Sequence, residues 1–382
     1  MRLGDCGKTN LHTYSDKEKW SLIRYLDTGS ITEGRIDEIQ TLYPGVDKIP
    51  SRARRKASVG DILFSTVRPN QKHYGIIEAG TENLLVSTGF TVVTVDTTIA
   101  DPYFIYYYLT QSSVIESLQA IAEQSTSTYP SIKPSDIEDI ELDLPELETQ
   151  KKIGSTLRML DRKIALNEEI NDNLEQQAAA LFSSLYNRSN TEVRYTDLIQ
   201  ILGGGTPKTG ETAYWNGNIA FFTPKDVGTP YTFITEKTIT EEGLSHCNSR
   251  LYPVNTVFVT ARGTVGKVGL SGVPMAMNQS CYALVGKETH QLLVYFYTLK
   301  AVDRLKHKAS GAVFDAITTR DFDSEQIMKL SDDDAKAFLC VAEPMFQEIL
   351  NNSIENLRLS TLRDFLLPKL MSGEIDVSSV QL

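Results

Sequence analysis

Three things are scarce in this chain. The four cysteines (Cys6, Cys247, Cys281, Cys340) are scattered without a CxxC pair. That pattern fits a reducing cytoplasm better than a disulfide framework. No apolar run approaches the roughly 18 residues of a membrane span. The start, MRLGDCGKTN, also lacks the apolar centre of a secretory signal. The expectation is a cytoplasmic protein with no membrane contact. Positive charge is the third shortage: 38 Lys+Arg against 49 Asp+Glu leave a formal charge of −11. An acidic total argues mildly against nucleic acid, so the distribution decides. Residues 1–72 hold 13 Lys+Arg and 9 Asp+Glu, whereas residues 73–145 hold 1 and 11. Such segregation predicts a basic face and an acidic face within one domain.

Motifs of catalysis are missing as well. There is no cofactor-binding glycine turn with an NPP[YF]-type loop, as a DNA methyltransferase requires. Asp334 and Lys336 have nuclease-like spacing, but Ser331 with Asp334 at a helix start reads more simply as a capping box. HExxH is absent, and His246–Cys247 has no second pair at ligand spacing, which argues against zinc. Gly203–Gly205 with Lys208 lacks the GxxxxGK[ST] spacing of a phosphate loop. No Ser/His/Asp arrangement stands out among the five histidines.

What is present is a long amphipathic stretch. From Pro145 to about Arg188, Leu147, Ile153, Leu157, Leu160, Ile164, Ile170, Leu174, Leu181 and Leu185 recur at steps of mostly three and four residues. Glu146 and Glu148 sit in its first turn, where the helix dipole favours negative charge. At about 1.5 Å per residue the rod is on the order of 55–60 Å long, which predicts a coiled-coil partner. A shift of 185 residues supplies one. It lays Ile164 on Ile349, Asn167 on Asn352, Leu174 on Leu359, Leu181 on Leu366 and Leu185 on Leu370. The same shift lays Tyr129, Ile132, Asp136, Ile137 and Leu142 on Phe314, Ile317, Asp321, Phe322 and Ile327. The chain therefore reads as two copies of one unit, a globular part followed by a long helix. An antiparallel pair would bring Ile164, Leu174, Leu181 and Leu185 against Ile349, Leu359, Leu366 and Leu370 in reverse order.

Residues 1–144 read as a mixed domain with strands in VGDILFSTVRP (59–69) and LLVSTGFTVVTV (84–95), then a helix from Asp101 to about Ala122. Arg52, Arg54, Arg55 and Lys56 crowd a predicted loop. Arg68, Asn70, Lys72, His73 and Tyr74 follow in a second polar loop, and the two together could meet phosphates and base edges. Residues 190–331 repeat the plan. NTVFVTARGTVGKVG (255–269), with Arg262 and Lys267, echoes the first Arg-bearing loop, and MNQSCYALV (277–285) echoes VSTGFTVV. The stretch LGGGTPKTGETAYWNGNIAFFTPKDV (202–227) offers Thr206, Lys208, Tyr214, Trp215 and Lys225 on a glycine-rich loop that can approach DNA closely. The helices agree between copies while the basic loops diverge, as on a scaffold holding two reading heads.

These residues resemble the specificity subunits of type I restriction–modification systems over nearly the whole chain. ITEGRID (31–37) with GDILFSTVRPNQKHYGII (60–77) is similar to one class of first target-recognition domain. LPELETQKKIGSTLRMLDRKIALNEEIN (144–171) is similar to the central conserved region, and LRDFLLPKLMSGEI (362–375) to the C-terminal one. GGGTPKTGETAYWNGNIAFFTPKDV resembles a common opening of a target-recognition domain. The second helix departs at its start, SDDDAKAFLCVAEPMFQEI, which lacks the acidic–Gln pattern of 146–150 and carries Pro344. The resemblance implies an α+β fold: two mixed α/β target-recognition domains (1–144 and 190–331) separated by long helices (145–189 and 332–373), with a tail at 374–382. The helices would form an antiparallel coiled coil within a pseudo-twofold internal repeat. It implies a non-catalytic prokaryotic subunit that reads a bipartite asymmetric site on double-stranded DNA. Its partners would be two modification (adenine methyltransferase) subunits and restriction subunits. S-adenosylmethionine, ATP and Mg would belong to those partners and no cofactor to this chain. The rival reading is a specificity module with its own methyltransferase or nuclease activity.

Overall fold

Side chains that alternate between two apolar environments build the first lobe. In the computed structural model, which describes residues 1–125, 128–228, 230–308 and 316–377, strands Ile62–Ser65 and Phe90–Val95 pair antiparallel. Gly7–Thr9 and Tyr74–Ile76 flank them in a four-stranded sheet. Ile62, Phe64 and Val93 face helix residues Phe104, Ile105 and Leu118. Leu63, Phe90 and Val92 point the other way, toward Leu26 and Val86. This two-residue period makes one sheet serve two cores.

A second sheet runs Gln40–Leu42, Ile23–Leu26, Leu84–Ser87, Ala53–Lys56, with its two inner strands parallel. The basic segment expected as a loop is thus in part an edge strand, Ala53–Lys56. Backbone pairing with Leu84–Ser87 overrides its poor strand propensity, and the register shifts between Ala53 and Arg55. The helix expected from Asp101 is two helices, Pro102–Leu109 and Ser112–Glu123. Asp101 caps the first by accepting from Phe104 N at 2.9 Å, and Pro102 occupies the position where a missing N–H costs nothing.

The second lobe repeats the order: Ile199–Gly203, Cys281–Gly286, Val257–Thr260, Val268–Ser271, with Tyr231–Thr232 added at the edge. Its other sheet pairs Trp215–Phe222 in parallel with Met275–Met277, as Ile23–Leu26 pairs with Leu84–Ser87. The 185-residue shift reappears in detail. Helices Pro134–Glu138 and Thr319–Ser324 occupy matching positions. Asp136 accepts from Lys133 N at 2.6 Å and Asp321 from Thr318 N at 2.7 Å. Ile132 and Ile317, Ile137 and Phe322, and Leu142 and Ile327 are all buried. Phe314, the match of Tyr129, lies outside the described residues.

Two long helices follow, Leu147–Arg188 and Asp332–Met371, the second continuous through Pro344. Ser331 caps the second, accepting from Asp334 N at 3.1 Å. Gly154 lies where a Cβ would press on Asp101 Oδ1 and Tyr103, so a close approach explains the single glycine. The buried side chain of Gln150 bonds Asp101 N at 3.0 Å and Pro145 O at 2.8 Å, tying the helix start to the lobe.

The chain divides into two units, residues 1–164 with 358–382 and residues 165–357. In the first, Arg363 pairs with Asp161 at 2.7 Å, and Ile153, Leu157 and Leu370 share one cluster. In the second, Phe182 packs edge-on against Phe338, with ring centroids 5.4 Å apart. Burying a side chain of that size contributes roughly 1.5–3 kcal/mol. Toward the other end of this pairing the seam turns polar. Asn167 donates to Asn356 Oδ1 at 2.8 Å and to Glu355 Oε2 at 2.7 Å, while Asn352 donates to Asn171 Oδ1 at 2.9 Å. Rising numbers on one helix meet falling numbers on the other, so the pair is antiparallel. The shift by 185 turns Asn167–Asn356 into Asn352–Asn171, which makes the two bonds pseudo-twofold images.

This polar layer sets a register different from the reverse-order pairing expected from the leucines. Leu185 and Ile349 are buried in the second unit's core with Leu174 and Leu181 against it. Leu370 lies in the first unit's core with Leu366 against that one. Ile164 and Leu359 are half-buried. Within the second unit Asn352 stands opposite Asn171, so there the asparagines rather than the leucines set the register.

Candidate nucleic-acid interface

In the first lobe, Arg52, Arg68, Asn70 and Lys72 are exposed, and Arg54, Arg55, Lys56 and His73 are half-buried. Lys56 pairs with Glu18 and lies 5.2 Å over the Trp20 ring. Hydrogen bonding from Lys56, with Ser15 N as second donor, holds the Glu18 carboxyl below its usual range. Arg55 differs: among the described residues its buried Nη1 has no hydrogen-bond partner, and desolvation lowers the pKa of the guanidinium. An unsatisfied cationic donor on a basic edge strand is a site that an anion would relieve.

The second basic loop is a short 3-10 turn, Pro69–Gln71, between two left-handed residues, Arg68 (φ 49°) and Lys72 (φ 57°). Left-handed backbone at non-glycine residues costs energy and gathers at functional positions. Contacts on several sides hold it. Arg68 N donates to Pro130 O at 3.0 Å, its guanidinium stands 5.2 Å from the Tyr129 ring, and Lys72 pairs with Glu33. His73 Nδ1 lies 2.7 Å from Ile31 O. Tyr74 is not on this surface, a correction to the sequence reading. It is 6% exposed, stacks on Phe64 at 5.8 Å, and burial pushes its hydroxyl pKa up. The strand Tyr74–Ile76 turns it inward, where a polar neighbourhood in sequence gave no hint of a core position.

One turn joins the two basic segments. Thr88 N donates to Arg52 O at 2.8 Å, and Gly89 O accepts from Thr66 N at 2.8 Å. The Arg52 guanidinium occupies the space a Cβ at Gly89 would need. Thr88 is exposed between buried Ser87 and Gly89.

The second lobe builds the same arrangement from other residues. Ser280 O accepts from Ala261 N at 2.8 Å and Arg262 N at 3.2 Å, and Gly205 N donates to Met277 O at 3.1 Å. The turn Asn278–Ser280 thus sits between the Thr206 loop and the Arg262 loop, with Gln279 exposed at its tip. Lys267 is exposed at the far end of the Arg262 loop, its N–H bonded to Thr260 Oγ1 at 2.9 Å. Lys208, Tyr214 and Trp215 form a separate group. Trp215 Nε1 donates to Lys208 O at 3.2 Å, and Tyr214 stacks on His246 at 4.8 Å. Lys225 pairs with Glu236 at 3.3 Å. Thr88 and Gln279 were missed in the sequence because both lie inside runs that read as strands. The small and polar residues around them, STG and NQS, are the turn signal that marks them.

Among the described residues no group of three or more His, Cys, Asp and Glu is placed to hold a metal ion, and no helix is long and apolar enough to cross a membrane.

The model of the type I restriction modification DNA specificity domain matches twice, at residues 53–176 and 187–329. The HindI specificity subunit of Haemophilus influenzae is 26% identical over 98% of both chains. The MjaIX specificity subunit of Methanocaldococcus jannaschii is 32% identical over 31% of this chain and 29% of its own. The crystal structure of the type I restriction–modification S subunit from M. genitalium has a TM-score of 0.60 and 16% identity over 97% of this chain and 95% of its own. That likeness bears on the fold alone.

Proposed function

The chain belongs to the type I restriction–modification DNA specificity family, and from that premise we propose that its lobes each read one half of a bipartite, asymmetric DNA site. The observation that carries this reading is the doubling. The family match falls once on each half, and each half sets an Arg-bearing hairpin loop against an exposed turn. Residues 1–144 are the first reader and 190–331 the second. In the first, Arg52, Arg54, Arg55 and Lys56 meet phosphates, while Arg68, Asn70, Lys72 and His73 lie against base edges. In the second, the corresponding surface is Thr206, Lys208, Tyr214, Trp215, Lys225, Arg262 and Lys267. The paired helices space the two readers and dock two modification subunits, with restriction subunits joining the assembly. Methyl transfer and cleavage, with S-adenosylmethionine, ATP and Mg, belong to those partners, and this chain contributes recognition.

The test is to co-express the chain with its cognate modification subunit and map methylated adenines across a genome. A split motif of two unlike halves with one spacer length is the expected result. Methylation that does not depend on this chain refutes the reading, and methylation by the purified chain alone favours the enzyme reading instead.

A further inference from the structure

Gln279 is an exposed side chain on a backbone with little room to move. Asn278 N donates to Phe222 O at 3.0 Å, Ser280 N donates to Asn278 Oδ1 at 2.9 Å, and Ser280 O takes the bonds from Ala261 and Arg262. The neighbouring loop comes so close that a Cβ at Gly204 would overlap the carbonyl oxygens of Asn278 and Met277. Glycine there removes the side chain that would otherwise cover the turn. Gln279 itself is oriented by Thr206, whose hydroxyl donates to its Oε1. Among the described residues its amide nitrogen meets no hydrogen-bond partner.

We propose that Gln279 is a base-reading residue of the second lobe and that it recognises an adenine in the major groove. The inference rests on the DNA-reading function proposed above. A glutamine amide matches adenine in bidentate fashion, donating to N7 and accepting from the N6 amino group. Thr206 uses one lone pair of Oε1 and leaves the other for that amino group. Arg262, whose N–H bonds the same turn, stands beside it for a phosphate or a neighbouring guanine. An exposed glutamine is ordinarily only a solvated side chain. Here the repeat distinguishes it. In the first lobe the equivalent turn, set against Thr66 and Arg52, exposes Thr88, whose methyl and hydroxyl suit a different base pair. One framework position carries unlike side chains in the two lobes, as expected where two unlike half-sites are read.

The experiment uses the full chain assembled with its modification subunits and maps methylated adenines. Gln279→Ala should relax one position in one half-site, with discrimination there falling roughly 5- to 150-fold, the worth of a good bidentate pair. The other half-site and the spacer should not change. Gln279→Glu, an acceptor only, should shift that position toward cytosine. Thr88→Val should alter the opposite half-site. An unchanged motif in both Gln279 variants, or an equal loss of methylation at all sites, overturns the proposal, since either result would describe a solvated residue or a phosphate contact. A wild-type complex that yields no split motif overturns the DNA-reading function together with it.

Discussion

The pair Asn171–Asn352 allows a quantitative prediction. Both side chains are buried, 9% and 7% exposed, and the amide of one bonds the carbonyl of the other at 2.9 Å. Asn352→Leu removes the donor and leaves the Asn171 carbonyl facing an apolar side chain. The stranded group costs about 1–3 kcal/mol, which speeds local opening roughly 5- to 150-fold. Asn171→Leu should cost a similar amount. The double substitution leaves no polar group of this pair buried and should come within about 1 kcal/mol of the wild type or exceed it. A single polar residue at such a position trades stability for register, so the doubly substituted helices should hold together while tolerating alternative alignments. Amide hydrogen exchange of peptides from 165–188 and 345–357 reads this directly, because it reports local opening without assuming that the whole chain unfolds in one step. The reasoning is refuted if each single substitution behaves like a surface change, within about 0.5 kcal/mol. It is equally refuted if the double mutant loses the sum of the singles.

Three further outcomes can be checked. Gly204→Ala should destabilise the second lobe, because the new Cβ meets backbone oxygens that cannot swing away, whereas Gly203→Ala, with nothing within 4 Å, should be close to neutral; thermal melts of the two variants decide it. Glu175 has its carboxyl pKa raised, chiefly by burial, and accepts from the Tyr295 hydroxyl at 2.9 Å. The folded state therefore holds this proton more tightly than the unfolded state, and stability falls as pH rises from the unfolded value of about 4.3 through the raised folded value. Glu175→Gln keeps an acceptor for Tyr295 and should be more stable than the wild type at pH 7 but not at pH 4, as urea titrations at the two pH values would reveal. A fragment of residues 1–188 loses the Leu370 and Val377 cover over Ile153 and Leu157 and should dimerise through its helix. By the 185-residue equivalence Asn167 of one copy would face Asn171 of the other. Light scattering should give twice the fragment mass, and with modification subunits the dimer should methylate a palindromic split site; a monomer refutes it.

The repeat, the long helices and the existence of strands in 59–69 and 84–95 were legible because each rests on a periodic pattern that a local physical rule decodes. The stretch 84–95 nevertheless proves to be two strands, Leu84–Ser87 and Phe90–Val95. One shift aligned both the helices and the non-helical residues before them, and matching helices Pro134–Glu138 and Thr319–Ser324 carry that shift into the structure. What stayed hidden depends on contacts between distant segments. Nothing local in ARRK marks a strand; Ala53–Lys56 is one because Leu84–Ser87 lies alongside. Tyr74 sits among Lys72, His73 and Gly75, yet Phe64 and Tyr106 enclose it. The central asparagines are the most instructive case. Asn167 and Asn352 aligned in the repeat from the start, but between leucines at helical spacing an asparagine reads as a solvated side chain. Asn167 is fully buried and finds its bonds in the second helix, at Glu355 and Asn356. A buried asparagine must be satisfied, and the pseudo-twofold relation means that satisfying Asn167 with Asn356 satisfies Asn352 with Asn171 as well. The polar positions of each repeat thus require the other repeat as partner, and it is they, more than the leucines, that choose the alignment.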